Sequence, residues 1–288
     1  MNIHSFYGKV RERLDLGGHF MLLKKKFKQQ EMNGVHMLNG MAELFGIKLN
    51  VRCFVVDGVL IDTGATSLDK GFKTFFKQQD IDQVVITHYH EDHTGCASFL
   101  QNEMNLPLYM HEKKLEYCKL KADYPLYRKV FWGSRPPFEA KIINPTFTSR
   151  DAVWDVIETP GHAVDHVALL NRETGQLFSG DLYVQPKTKV ILQEESIPTI
   201  ISSLEKLLTY DFEEVFCSHA GYLIEGRTAL HNKLDYLLEL QEQIIKLHKE
   251  GLTPKQITRS IFPKRYPITF FSRGEWDSLH IINSVIQG

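Results

Sequence analysis

Apolar positions change period along this chain, and the changes mark its elements. Between Asn50 and Gly64, Val51, Cys53 and Val55 recur at every second position. Asp57-Gly58 then supplies a turn and Val59-Leu60-Ile61 returns, which is a hairpin pattern. Ser67 is placed to cap a helix through Leu68, Phe72, Phe75 and Phe76. Gln83–Thr87 reads as a short apolar strand, 94–103 as a helix and Leu106–Met110 as another strand. Strands return at Val153–Glu158, Val167–Leu170, Gln176–Ser179 and Glu214–Cys217, with a helix over Ile197–Tyr210. From Arg227 to Lys249 leucines and isoleucines recur at helical spacing. Thr253-Pro254 opens a shorter helix, and 272–286 predicts a last one. Strands and helices are thus mixed over the first three quarters, an α/β (α+β) pattern, and the remainder is helical.

Composition narrows the picture. The 288 residues are 43% hydrophobic, enough to bury a large core without disulfides. They suit one domain over residues 1–226 with a C-terminal helical region over 227–288. Lys+Arg 34 against Asp+Glu 35 argues against a generally basic nucleic-acid surface. No apolar run is long enough to span a bilayer. Met1–Val10 lacks a secretory pattern, and Cys53, Cys96, Cys118 and Cys217 form no CxxC pair, so the expectation is a cytoplasmic protein with buried thiols. The Lys24–Lys28 run reads as a solvated face. Residues 111–150 interleave tyrosines, Phe131, Trp132 and Phe138 with Lys119, Lys121, Arg128, Lys129 and Arg135, which fits either an aromatic-packed surface helix or a lid.

The 13 histidines are many for this length, and several cluster. His88, His90, Asp92 and His93 crowd the end of a predicted strand. Residues two apart in extended chain point to one side, so His88 and His90 can reach one metal, while Asp92 and His93 lie where the chain turns. His162 follows Thr159-Pro160-Gly161, Asp181 follows Ser179-Gly180, and His219 follows Cys217-Ser218. Each stands at a strand end among small residues. Imidazole and carboxylate donors suit zinc first, and iron or manganese as well. His4, His19, His36, His111, His231, His248 and His280 have no ligand context and read as structural or exposed.

With these motifs the chain resembles the metallo-β-lactamase superfamily: HYHEDH at 88–93, TPGH at 159–162, SGD at 179–181, SHAG at 218–221 and LIDTG at 60–64, in the family's order over roughly residues 50–225. The resemblance implies a four-layer αββα sandwich with a small C-terminal helical extension and two divalent ions. It implies that His88, His90 and His162 hold one ion, that Asp92, His93 and His219 hold the other, and that Asp181 bridges them. It further implies that a hydroxide shared by the ions attacks the substrate and that Asp92 acts as the catalytic carboxylate orienting it. Asp62 is a candidate to accept a ring proton from a ligating histidine. His166, Tyr183 and Tyr222 are candidates to line the site.

Such a site retains a slight positive charge and favours small anionic substrates. The leading expectation is a hydrolase of an ester, thioester or lactone of a small acidic metabolite. A phosphodiesterase or ribonuclease on the same ions is the alternative, motivated by the basic and aromatic residues of 111–150 and by the helix after Thr253. A non-catalytic metal-dependent binding module is the third reading. Oligomeric state leaves no trace in the sequence.

Overall fold

The computed structural model describes the backbone of residues 7–15 and 20–288 and the side chains of 23–288. His4 and His19 lie outside the described residues. One compact unit comprises Met1–Val156 with Leu169–Thr174. Its sheet places β1 (Tyr7–Asp15), β2 (Phe20–Met32), β3 (Val35–Leu44), β4 (Ile47–Val56), β5 (Val59–Ile61), β6 (Gln83–Val85), β7 (Leu108–Met110) and β8 (Lys141–Ile142) side by side in chain order. Pairing is antiparallel from β1 to β5 and parallel from β5 to β8. The helices of this unit are α1 (Asp69–Phe76), α2 (Glu91–Thr94), α3 (Ala97–Asn102), α4 (Leu115–Cys118) and α5 (Leu126–Trp132). Leu60, Ile61, Val84, Val85, Phe72 and Phe76 are fully buried in its core.

Several expectations are corrected here. The Lys24–Lys28 run is part of strand β2, where successive side chains alternate faces. Lys24 pairs with Glu43 across the β2–β3 ladder, while Lys25, opposite Ala42, is buried. Ser67 is not the cap of α1. Leu68 occupies that position, and the Ser67 hydroxyl donates instead to the Phe131 carbonyl in the last turn of α5. The helix expected over 94–103 breaks into α2 and α3 at Gly95-Cys96. Gly95 N–H donates to Gly64 O at 2.7 Å, and a Cβ at Gly95 would lie 2.3 Å from Thr66 N, so the backbones there touch. The 111–150 stretch holds two short helices and then extended chain.

A six-stranded sheet follows the order β15-β14-β12-β11-β10-β9, built from β9 (Thr146–Thr148), β10 (Val153–Glu158), β11 (Val167–Asn171), β12 (Gln176–Phe178), β14 (Glu214–Cys217) and β15 (Gly221–Leu223). The second compact unit comprises Ile157–Ala168 with Gly175–Gly288. It contains α6 (Ile197–Leu208), α7 (Gly226–Lys249), α8 (Pro254–Ile261), α9 (Pro267–Phe271) and α10 (Ser278–Gln287). Ser196 caps α6 through Thr199 N, and Thr253 with Gln256 forms a capping box on α8. The tail is not purely helical. Trp276–Asp277 (β16) pairs with Ile191–Leu192 (β13), so α10 starts at Ser278 rather than 272, with Asp277 accepting from Leu279 N. All four cysteines are buried thiols.

Candidate metal centre

Parallel pairing of β5 with β6 aligns Ile61 with Val85. Asp62 therefore leaves its strand beside Thr87 and His88. Its backbone is left-handed (φ 61°), and its carboxylate is fully buried. Thr87 N–H donates to Asp62 Oδ1 at 2.8 Å, and the Thr87 hydroxyl lies 3.0 Å from both carboxylate oxygens. A carboxylate has no proton to give, so Thr87 donates, and its oxygen accepts from His88 Nδ1 at 3.0 Å. His93 Nδ1 donates to Asp62 Oδ2 at 2.8 Å. The Nε2 atoms of His88 and His93 thus carry lone pairs. The turn bearing His93 is stitched to the Asp62 loop, with Thr63 N–H and Oγ1 both donating to the His93 carbonyl.

His88 Nε2 and His90 Nδ1 lie 3.1 Å apart, close to the ~3.4 Å expected of two imidazole nitrogens sharing a tetrahedral ion at about 2.0–2.1 Å. Asp92 Oδ2 stands 3.8 Å from His93 Nε2. Glu91, the intervening residue of HYHEDH, is also buried. It faces Arg128 of α5 in a two-pronged pair, Nε–Oε1 and Nη2–Oε2 both at 2.6 Å. Burial holds the Glu91 carboxyl above the usual carboxylate range, and Arg128 offsets only part of that rise.

In the second unit, His162 is set by its turn. Gly161 has φ 127°, and a Cβ there would meet Ile200 N of α6 at 2.7 Å, while Ser196 N–H donates to the Gly161 carbonyl. His162 Nδ1 donates to Glu195 Oε2 at 2.9 Å, and Glu195 is itself held by Leu192 N–H. β12 and β14 are parallel with Phe178 opposite Phe216, so Asp181 and His219 each stand three residues beyond paired positions. Asp181 Oδ2 lies 2.8 Å from His219 Nε2 and 3.4 Å from His162 Nε2. Asp181 N–H donates to His166 Nε2 at 2.9 Å, which obliges Nδ1 of His166 to carry its proton toward Thr159. His166 therefore positions the Asp181 backbone.

In the first unit His88, His90, Asp92 and His93 gather their donor atoms at one turn, and in the second His162, Asp181 and His219 do the same. All seven side chains expected from the sequence occur in these two clusters as groups able to ligate a metal, and all but His219 are buried. The donor chemistry, imidazole nitrogens with fixed tautomers plus carboxylate oxygens, fits divalent first-row ions.

The matching family model is the metallo-beta-lactamase superfamily, over residues 47–219. This chain belongs to that superfamily. A beta-lactamase-like protein 2 homolog of Caenorhabditis elegans is 25% identical over 211 residues, which is 71% of this chain and 66% of that protein. A hydroxyacylglutathione hydrolase of Nitrosomonas europaea is 24% identical over 184 residues, 62% of this chain and 63% of that enzyme. The chain thus spans just under two thirds of the length of these curated relatives. Among solved structures, a metallo-beta-lactamase family protein of Thermus thermophilus has the same fold, with TM-score 0.65, 18% identity, and coverage of 89% of this chain and 95% of that one.

Two of the weaker candidates have defined surroundings. Tyr222 donates its hydroxyl to Glu214 Oε1. Tyr183 is buried, and its carbonyl accepts from Lys233 Nζ. Lys233 of α7 also reaches Gln185 O at 3.1 Å and Thr188 Oγ1, so it braces the loop following Asp181. Burial lowers its pKa to about 8. Thr87, Glu195, Lys233 and the Glu91–Arg128 pair escaped sequence reasoning. Glu195 and Lys233 lie in unremarkable sequence far from the ligand motifs. Glu91 and Thr87 flank the histidines, and their polarity inside a buried motif was the available signal. No helix among the described residues is long and apolar enough to cross a membrane.

Proposed function

We propose that this protein is a dinuclear metal-dependent hydrolase of an ester, thioester or lactone of a small anionic metabolite. In this reading His88, His90 and His162 would hold one ion, Asp92, His93 and His219 the other, and Asp181 would serve both; zinc is the first choice and iron or manganese fit the same donors. The observation that carries it is the proton arrangement behind the donors: Thr87, Asp62 and Glu195 fix the Nδ1 protons of His88, His93 and His162, leaving each Nε2 to ligate. When bound, the ions supply an acidified water and polarise the scissile carbonyl. Asp92 would orient the nucleophilic water through a carboxylate oxygen, and the proton it takes from that water is the one it would pass to the leaving atom. His166 keeps Asp181 in register through its backbone amide. The acyl-cleaving relative, hydroxyacylglutathione hydrolase, supports carbonyl chemistry over other electrophiles. Residues 1–226 would carry this chemistry and 227–288 would form a helical extension.

The phosphodiesterase reading loses its motivation in 111–150. Arg128 is engaged by Glu91, and buried Arg135 donates to the carbonyls of Cys118, Pro136 and Leu120. The test is a panel of chromogenic thioester, lactone, phosphodiester and β-lactam substrates on protein of measured metal content. Two ions per chain and turnover confined to acyl substrates are expected. His90→Ala and Asp181→Ala should lose both metal and turnover. Wild-type turnover in either variant would sink the assignment, and cleavage of the phosphodiester alone would replace the acyl substrate with a phosphoryl one.

A further inference from the structure

The C-terminal helices flank an open cavity of about 630 Å3, lined entirely by residues between Lys255 and Leu279. Five of its lining residues are cations: Lys255, Arg259, Lys264, Arg265 and Arg273. A single carboxylate, Asp277, shares the lining, and its Oδ1 is engaged by Leu279 N–H. Among the described residues no carboxylate pairs with any of the five cations. This concentration stands out in a chain whose net charge is -1. Like charges gathered around one concavity repel one another, and an anion in their midst relieves the repulsion. Arg273 is left-handed (φ 54°) because it closes the C-terminal turn of α9, where Arg273 N–H donates to Phe270 O and Gly274 N–H to Thr269 O.

The remaining walls are aromatic. Phe270 and Tyr266 line the cavity, and Phe270, 90% exposed, presents its ring to solvent. Guanidinium forks match phosphate oxygens, and exposed aromatic faces stack on planar rings. The volume suits one small molecule. A single-stranded nucleic acid requires a groove tracking several phosphates, whereas these cations converge on one hollow.

We propose that this cavity binds a phosphorylated nucleoside, its phosphates among Arg259, Lys264, Arg265 and Arg273 and its base against Phe270 and Tyr266. The same chemistry is offered by a free nucleotide and by the nucleotide end of a carrier thioester. β16, which bears Asp277, pairs with β13, and Leu192 of β13 holds Glu195 behind His162. An occupant would therefore sit one ladder away from a residue that orients a candidate metal ligand. The proposal does not depend on the hydrolase reading.

Isothermal titration calorimetry on the full-length chain tests it, using ADP, coenzyme A, adenosine, ribose 5-phosphate and a single-stranded RNA 12-mer. ADP and coenzyme A should both bind, each about tenfold or more tighter than adenosine or ribose 5-phosphate. Equal affinities identify a free nucleotide, and tighter coenzyme A identifies a carrier thioester. The double variant Arg259→Glu/Arg265→Glu should weaken ADP by about tenfold or more and flatten its salt dependence. Phe270→Ala, at a site too exposed to perturb folding, should weaken ADP while sparing ribose 5-phosphate. Absence of ADP binding, affinities indifferent to these variants, or RNA binding about tenfold tighter than ADP would each overturn the proposal.

Discussion

At Asp62 one buried carboxylate sets the proton on His93 directly and the proton on His88 through Thr87. Asn tolerates the same left-handed backbone but replaces one accepting oxygen with a donor. Asp62→Asn should therefore keep the fold and weaken metal affinity by about 10–100-fold, measured by competition with a chromogenic chelator. Affinity equal to wild type would show that the donors need no such orientation. Lys233 makes a second prediction. Burial lowers its folded pKa to about 8, below the usual lysine value of 10.5. Below pH 8 both states carry the proton and the full penalty of a buried charge is present. Between about pH 8 and 10.5 the unfolded chain binds more protons, so stability rises with pH. Urea unfolding should show the wild type gaining on Lys233→Met across that window, by at most about 1.4 kcal/mol per pH unit. A parallel pH dependence of the two proteins would place the lysine's pKa near its ordinary value.

Helix α5 reaches the HYHEDH turn through Arg128, which meets buried Glu91 in a two-pronged pair. Removing the arginine leaves a carboxylate in a dry site without its cation. Arg128→Ala should cost about 3–5 kcal/mol in chemical unfolding, and the double variant with Glu91→Gln should recover much of that. Additive losses would mean that the pair is not coupled. The β2–β3 hairpin shows how an element can be missed. Asn33-Gly34 flanked by long strands is a strong turn signal, yet the polar Phe20–Met32 stretch has no clean alternation of period two. Its pairing with β3 supplies the order that its own pattern lacks. The helix expected over 94–103 is present over Ala97–Asn102, and its start was misplaced for the opposite reason. Local propensity favoured continuity, and contact of Gly95 with the Gly64–Thr66 backbone broke it.

For the whole molecule, ions bound by donors from residues 88 to 219 would hold distant segments together. Binding to the folded state alone stabilises it, by about 2.7 kcal/mol at a hundredfold excess over Kd. Chelator treatment should therefore lower Tm, and zinc should restore it in the wild type but not in Asp181→Ala. A melting point indifferent to chelator would argue against ions within the fold. The sequence alone was enough to pick out the seven candidate donors, because each stands in a short motif at a strand end, where small neighbours and β-rich runs leave a local signature. It was enough also for the strands at 51–61, 83–85 and 108–110 and for the long helix from about 227 to 249. Which proton each histidine carries, which carboxylate stands behind it, and which lysine braces the loop beyond Asp181 were decided by tertiary packing. Those partners are separated by 31 residues for Asp62 and His93, 33 for His162 and Glu195, and 50 for Tyr183 and Lys233. A hydrogen bond over such separations depends on strand register and helix placement, and no window of local sequence contains both its ends.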